Sequence, residues 1–448
     1  MRKALILGLA LVFALAMGLV ACGGDEETTT TGAPTTAAPE TTTTAGAQPT
    51  TTAGETTTTA AAGPTKDKVT IGYVDAFTGI FAPAPLLWGT IWMEALIADY
   101  NAAGGLFVPE YNAKLPIELI KYDSASDTET LIRLTEKCMT EDKVDLMFAP
   151  WGTSQNFAVY PLYEKHEYPF LPHAMGSGQI VDLIQSGGGQ WCFPVLCQPP
   201  YVAKYTADFL QAKGAKNIGI IGVNDLHGIE FTGRLQSELS ARGMNIVVGP
   251  ELYPPTVSDL SPIIKKLQEA DVDTLWASTY PTDGTLLVQQ MQELGYSPTI
   301  MFMGPGAQYP LVMVPAFGLE AVTGIMEYHG FEVDFYTSPE LETLADKYNQ
   351  AAGGWPGANT VAAYVCYQAV FDAVEQVGLD RTKIRDTLKT GTFKTVLGDA
   401  KWDWENVNLE VPGAGYLCQW QGKDMLQVVW PEDRKSADWI PKPAWPAQ

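Results

Sequence analysis

Histidine is scarce in this chain: His166, His173, His227 and His329 are the only four in 448 residues. None forms an HExxH pair, and no metal cage is legible, so a metalloenzyme is a poor expectation. Basic residues are outnumbered, with 28 Lys+Arg against 51 Asp+Glu and a net charge of −23. A surface this acidic repels phosphate backbones, which excludes nucleic acid as a partner. Only one apolar run is long enough to reach across a bilayer, and it sits at the extreme N-terminus, so a polytopic transporter is excluded. No Walker A sequence occurs, and Gly187-Gly188-Gly189 reads as a turn. Gly152-Thr153-Ser154-Gln155-Asn156 approaches the G-x-S-x-G elbow, but Asn156 replaces the second glycine, so a hydrolase built on Ser154 is a weak expectation.

Cysteine is sparse too. Beyond Cys22 there are five, Cys138, Cys192, Cys197, Cys366 and Cys418. The number is odd, so at least one is unpaired within a monomer. Spacing permits a small Cys192–Cys197 loop and a Cys366–Cys418 bridge. Cys138 and Cys366 also lie inside apolar helical patterns, where a thiol acts as a small hydrophobe. No cofactor is implied.

What is present begins with the leader. Arg2 and Lys3 precede an uncharged apolar run over residues 4–21. The run ends in Leu19-Val20-Ala21-Cys22, which resembles the lipobox of bacterial lipoproteins. Residues 1–22 then read as a lipoprotein signal peptide, with Cys22 the lipid-anchored mature N-terminus. Between positions 25 and 65, 18 of 41 residues are Thr and 9 are Ala, with no Val, Ile, Leu or aromatic. Nothing there offsets the entropy of ordering, so residues 23–66 are expected to be a tether with a reach of about 35 Å.

The remainder, with hydrophobics at 46% and aromatics at 10% for the whole chain, can build a sizeable core. Short apolar runs at 69–74, 117–122, 144–149 and 168–171 alternate with helical patterns at 86–100, 127–139 and 155–165. A second series places strands at 217–222, 245–248, 274–277 and 299–303 between helices at 202–212, 229–241, 260–269 and 285–294. A last third adds a strand at 323–327, helices at 339–350, 360–377 and 382–388, and strands near 415–420 and 426–429. This alternation predicts an α/β fold of two doubly wound lobes, with the cleft beyond the carboxyl ends of the strands as the default site.

Four phrases, in order, carry a family resemblance. They are Ala98-Asp99-Tyr100-Asn101-Ala102-Ala103-Gly104-Gly105, Lys121-Tyr122-Asp123, Phe302-Met303-Gly304-Pro305, and Thr395-Val396-Leu397-Gly398-Asp399-Ala400-Lys401-Trp402-Asp403. Across nearly all of residues 68–430 the chain resembles the branched-chain amino-acid (leucine/isoleucine/valine) binding proteins of ABC uptake systems. The resemblance implies two Rossmann-like lobes joined by hinge strands. Lobe 1 is expected at 67–196 plus 327–394, lobe 2 at 197–326 plus 395–430, with a C-terminal tail at 431–448. It implies a non-enzyme held outside the cytoplasm, whose lobes close on a small-molecule ligand that it delivers to ABC permease subunits.

The resemblance also implies the site. The carboxylate-holding loop matches Trp151, Gly152, Thr153 and Ser154, where a strand end and a helix start offer N–H groups and hydroxyls to an anion. The neighbouring loop matches His173, Ala174 and Met175. In the second lobe His227 before Gly228 stands where relatives have Tyr, and Thr279-Tyr280 matches another contact loop. If His227 touches the ligand, affinity is expected to vary between about pH 5 and 8. Gly306 follows the Met-Gly-Pro turn where amino-acid binders carry an acid for the ligand ammonium; the nearest substitutes are Asp225 and Asp283. The segment Phe81-Ala82-Pro83-Ala84-Pro85 with Trp88 reads either as a rigid surface loop or, with Trp151 and Tyr280, as an apolar wall. The expected ligand is therefore branched-chain amino-acid-like or an aromatic or aliphatic carboxylate. A sensory receptor built on the same fold is the alternative.

Overall fold

Val69–Asp75 (β1) is the central strand of the first lobe, with every residue but one buried. It runs parallel to β4 (Ile117–Asp123) on one side and β5 (Leu146–Phe148) on the other, in the order β4-β1-β5. The computed structural model describes residues 65–328, 335, 338–357, 360–412, 417–422 and 426–446. Cys22 and residues 1–64 of the expected signal and tether lie outside the described residues.

The first helical stretch opens earlier than its apolar pattern suggests. Ala82 is already helical, Pro83–Pro85 form one turn, Leu86–Thr90 a π-helical turn, and α1 continues as Ile91–Ala102. After a turn at Phe81-Ala82, residues 83–85 are thus helical rather than loop: proline at the first helical position has its φ preset and no N–H to waste. A short hairpin, β2 (Leu106–Val108) and β3 (Ala113–Leu115), leads into β4. The α2 helix (Thr128–Lys137) is capped as expected by Asp127, which accepts from the Thr130 N–H at 2.7 Å. After β5 come α3 (Thr153–His166) and α4 (Gly178–Gln185), the second of which the sequence pattern did not reveal. The strand expected at 168–171 is reduced to a single bridge between Phe170 and Cys192. Pro169 and Pro172 flank Phe170 and Leu171 and lack the N–H that a longer ladder needs.

The second lobe is built on a seven-stranded sheet. In chain order it comprises α5 (Pro199–Lys213), β6 (Ile218–Val223), α6 (Leu226–Ala241), β7 (Ile246–Tyr253), α7 (Ser261–Glu269), β8 (Thr274–Thr279), α8 (Pro281–Glu293), β9 (Ile300–Pro305), α9 (Pro310–Val322, kinked at Gly318) and β10 (Ile325–Glu327). Strands β7, β6, β8, β9 and β10 are parallel neighbours in that order. Every residue of β6, β8 and β9 is buried, as a sheet covered on both faces demands. Helices α5 and α6 cover one face through Phe209, Leu210, Phe231 and Leu235, and α7 and α8 the other through Ile264, Leu267, Leu287 and Met291.

The chain then returns. Helices α10 (Pro339–Ala352), α11 (Ala362–Val377) and α12 (Arg381–Thr390) belong to the first lobe, where Tyr348, Val365, Phe371 and Leu388 share one core with Trp92 and Phe148. The boundary expected at 394/395 is corrected. The sheet of β11 (Phe393–Thr395), β12 (Gly398–Asp403) and β13 (Asn408–Glu410) packs on the first lobe through Phe393, Trp402 and Leu409. The Trp402 indole donates to the Pro194 carbonyl at 2.9 Å and meets the Phe193 ring edge-on, which fixes the sheet there. Of the last described strands, β14 (Leu417–Trp420) joins the second-lobe sheet antiparallel to β10, and β15 (Leu426–Trp430) pairs antiparallel with β14 at the sheet edge. The expected tail docks as well. The Gln419 amide donates to Ile440 O at 2.7 Å, Lys442 N to Thr299 O at 2.8 Å, and the Trp445 indole to Tyr296 O.

No disulfide joins the five described cysteines, all of which are buried. Cys366 lies in the first-lobe core and Cys418 in the second-lobe core, so the bridge that their spacing permits would have to link two separate cores.

Candidate functional site

Leu196 lies in the first-lobe core and Cys197 in the second, Tyr328 in the second and Phe335 in the first, and Val411 in the first and Leu417 in the second, so the chain passes between the lobes three times. At the end of β1 stands Asp75, only 2% exposed. Its carboxylate accepts from the Tyr73 hydroxyl at 2.9 Å, the Ala76 N–H at 2.8 Å and the Trp151 N–H at 2.8 Å. Burial pushes its carboxyl up to about 7, against the pull of those donors. It ties the β1 end to the loop that opens α3. An acid closing the apolar run Val69-Thr70-Ile71-Gly72-Tyr73-Val74 was the available signal, and the sequence reading passed over it.

From that anchor the first wall follows. Trp151 is buried, and Gly152 turns at φ +95°, a conformation in which a side chain would be strained and would also strike Gln155. Thr153 starts α3 and its hydroxyl accepts from the Gly176 N–H at 3.2 Å, while Ser154 is part-exposed in the first turn. The Trp151 ring lies 6.4 Å from Phe81 and meets Tyr280 of the second lobe edge-on at 5.3 Å. So the walls touch across the cleft. His173 is fully buried behind this wall, and burial holds its imidazole down to about 3. Its carbonyl accepts from the Trp88 indole at 3.2 Å. Ala174 is part-buried against the first-lobe core. Met175 is fully buried and shares a core cluster with Val159 and Ile180.

The second wall centres on Tyr280, the residue before α8. Its hydroxyl donates to Asp225 at 2.6 Å, and Asp225 in turn caps α6 through the Gly228 N–H at 2.9 Å. His227 lies between the rings of Phe231 (4.4 Å) and Tyr280 (5.7 Å), and burial holds it down to about 3. The expected titration of His227 between about pH 5 and 8 is therefore corrected: the imidazole is neutral throughout that range. Thr279 is fully buried at the end of β8. A Cβ on Gly306 would lie 2.3 Å from the Thr279 hydroxyl and 2.8 Å from the Tyr280 carbonyl. A side chain at position 306 is thus sterically barred here.

Of the two substitute acids, Asp283 is committed to structure. It accepts from Tyr280 N at 2.9 Å and from the Tyr253 hydroxyl at 2.7 Å, and burial pushes it up to about 6. Asp225 is the acid at the cleft edge, part-exposed, with its carboxyl raised by burial. Gln308 and Tyr309, which the sequence reading did not single out, follow the β9 turn and are buried. The Tyr309 ring approaches Trp88 at 6.3 Å and joins the first-lobe core. Among the described residues the buried charged groups around the cleft are all acidic; the one buried cation, Lys442, lies under the C-terminal segment. Among the described residues no cluster of three metal-ligating side chains occurs.

Two α/β lobes, crossed more than once by the chain and meeting over a cleft of strand ends and helix starts, define a ligand-binding protein of the hinge-closing class. The model of the periplasmic binding protein family matches residues 68–424, and the chain belongs to that family. A Leu/Ile/Val-binding protein homolog 8 of Brucella abortus is 24% identical over 359 residues, covering 76% of this chain and 85% of its own. The fold also matches the branched-chain amino-acid substrate-binding protein LivJ of Streptococcus pneumoniae in complex with isoleucine, with TM-score 0.66, 18% identity, and 84% and 100% of the two chains covered. A solute-binding protein of an R. palustris ABC transporter in complex with 4-hydroxybenzoate matches with TM-score 0.66, 17% identity, and 85% and 98% coverage. These relatives and neighbours are solute-binding proteins, and the family is extracytoplasmic. Among the described residues no helix is long and apolar enough to cross a membrane.

Proposed function

We propose that this protein is the extracytoplasmic solute-binding component of an ABC importer, a non-enzyme tethered to the membrane by a lipid on Cys22. It closes its lobes over a small amphipathic ligand and presents the closed form to the permease. The observation that carries the ligand class is the pairing of walls. An α3 start with Gly152, Thr153 and Ser154 suits a carboxylate, and Asp225 beside Tyr280 supplies the counter-charge that Gly306 cannot. Phe81, Trp151 and Tyr280 then cover an apolar side chain. An amino-acid-like zwitterion fits this arrangement best. The aromatic lining favours a second reading, an aromatic carboxylate such as the neighbour's 4-hydroxybenzoate.

A thermal-shift experiment on the protein with leucine, isoleucine and 4-hydroxybenzoate separates them. A ligand at a hundred times its dissociation constant adds about 2.7 kcal/mol of stability. A shift with the amino acids that disappears in Asp225→Asn and in Ser154→Trp supports the zwitterion. A shift with 4-hydroxybenzoate alone that survives Asp225→Asn selects the second reading, and turnover of an ester lost in Ser154→Ala overturns both. The anchor is tested separately: Cys22→Ser is expected to move the protein from the membrane to the soluble fraction.

A further inference from the structure

Away from the aromatic walls, the lobes meet at a second place that no ligand contact requires. The first-lobe run Gly176-Ser177-Gly178-Gln179, which opens α4, lies against one face of α6 in the second lobe. Glu230, 9% exposed, aims its carboxylate at the α4 start. It accepts from the Ser177 hydroxyl at 3.2 Å, the Gly178 N–H at 3.1 Å and the Gln179 amide at 2.9 Å. One turn on, Arg234 bonds Asp182 at 3.2 Å and flanks Glu230 at 4.0 Å. The two glycines are footprints of the opposite lobe. A Cβ on Gly176 would lie 2.5 Å from the Phe231 ring, and one on Gly178 2.6 Å from the Arg234 guanidinium.

We infer that Glu230, with Phe231 and Arg234, forms a closing contact that positions the two lobes independently of the ligand. A carboxylate brought to a helix start satisfies N–H groups that otherwise face water, and the dipole there favours the charge. The α4 helix has its own cap, since Ser177 Oγ accepts from Gln179 N at 3.1 Å, so Glu230 is not needed for the helix to form. What Glu230 adds is a bond between lobes. The contact also reaches the candidate site: Gly176, under the Phe231 ring, donates its N–H to Thr153, and His227 lies on the same α6 face as Glu230. These are positioning residues, since none of them needs to touch ligand. The inference rests on the lobe-closing reading of the fold but not on any ligand.

The test uses spin labels on the full chain at two exposed positions, one per lobe, Glu129→Cys and Glu269→Cys, in a Cys22→Ser background where the other native thiols are buried. Distances are measured without ligand in the parent and in Glu230→Ala, Gly176→Ala and Glu230→Gln. The expected result is a shift toward longer distances in Glu230→Ala and Gly176→Ala, with the open-to-closed ratio rising by roughly tenfold. Glu230→Gln, which keeps the shape and loses the charge, is expected between them and the parent. If Gly176→Ala does not fold, Arg234→Ala with Gln179→Ala replaces it, being a change at the lobe surface. Parent-like distances in all folded variants overturn the inference. A ligand screen that finds no binder defeats the proposed ligand class but leaves this distance result intact.

Discussion

The two lobes hold themselves together by different means. In the second, the parallel strands β7, β6, β8, β9 and β10 share a continuous ladder, and its fully buried strands Ile218–Val223, Thr274–Thr279 and Ile300–Pro305 carry most of the order. In the first, three named strands make the sheet and side chains supply the rest. Trp92 packs with Tyr348 at 4.7 Å and Phe335 at 6.1 Å and donates its indole N–H to Thr360 at 2.9 Å, while the Tyr367 hydroxyl is hydrogen-bonded to Ala149 N. A backbone ladder tolerates the loss of a side chain better than a core whose helices are joined by single aromatic groups.

The sharpest way to break that contrast is to delete one large ring from each core. Trp276 stacks on Tyr328 at 4.5 Å inside the second-lobe sheet, and Trp92 is its counterpart. Both changes to Ala are expected to cost about 3–5 kcal/mol. Trp92→Ala is expected to cost more in urea unfolding, because it also removes the buried indole hydrogen bond to the Thr360 hydroxyl. Equal or reversed losses would defeat the contrast.

A smaller effect separates the lobes by pH. Asp75 in the first lobe has a folded pKa near 7, raised from its unfolded value near 4. The fold therefore binds its proton more tightly than the unfolded chain. This contribution is present below about pH 4 and is lost as pH rises through about 7. Asp75→Asn is expected to flatten the fall of melting temperature over that range. His227 in the second lobe and His173 in the first work in the opposite sense. With folded values near 3 their contribution is present above about 6.5 and lost as pH falls toward 3. His227→Gln is expected to weaken that acid limb and leave the Asp75 limb unchanged. The smallest change is Trp445→Ala, expected to cost roughly 1–2 kcal/mol in the second lobe alone by releasing the docked C-terminal segment.

Legibility followed the same divide. Apolar runs in the second lobe could be read to within a few residues, because a strand buried on both faces has to be continuously hydrophobic. The Asp127 cap was equally legible, since it is local. In the first lobe Tyr168-Pro169-Phe170-Leu171-Pro172 has the hydrophobicity of a strand and the prolines of something shorter, and β11–β13 went unread as strands because their lobe is chosen by Trp402 and Phe193 meeting across the chain. At the candidate site, loops 151–154 and 279–280 follow from family order as expectations, and the structure brings Trp151 and Tyr280 of these loops together. Asp75, Gln308 and Tyr309 were not, since nothing local distinguishes a buried polar group from an exposed one. Met175 packs in a first-lobe core cluster, and the burial that keeps the His227 imidazole neutral depends in part on the Tyr280 ring, which comes from a distant segment.

By itself, then, the sequence determined the alternation of strands and helices, the family, and the glycine at 306 where relatives carry an acid. These are properties of short segments and their order. Only the tertiary structure decided that the Thr279 hydroxyl fills the space beside Gly306, that Asp225 and not Asp283 stands at the cleft edge, and that Glu230 reaches across to the start of α4. Each of those depends on atoms distant in sequence coming within a few ångströms. Packing, not local preference, sets which of them meet.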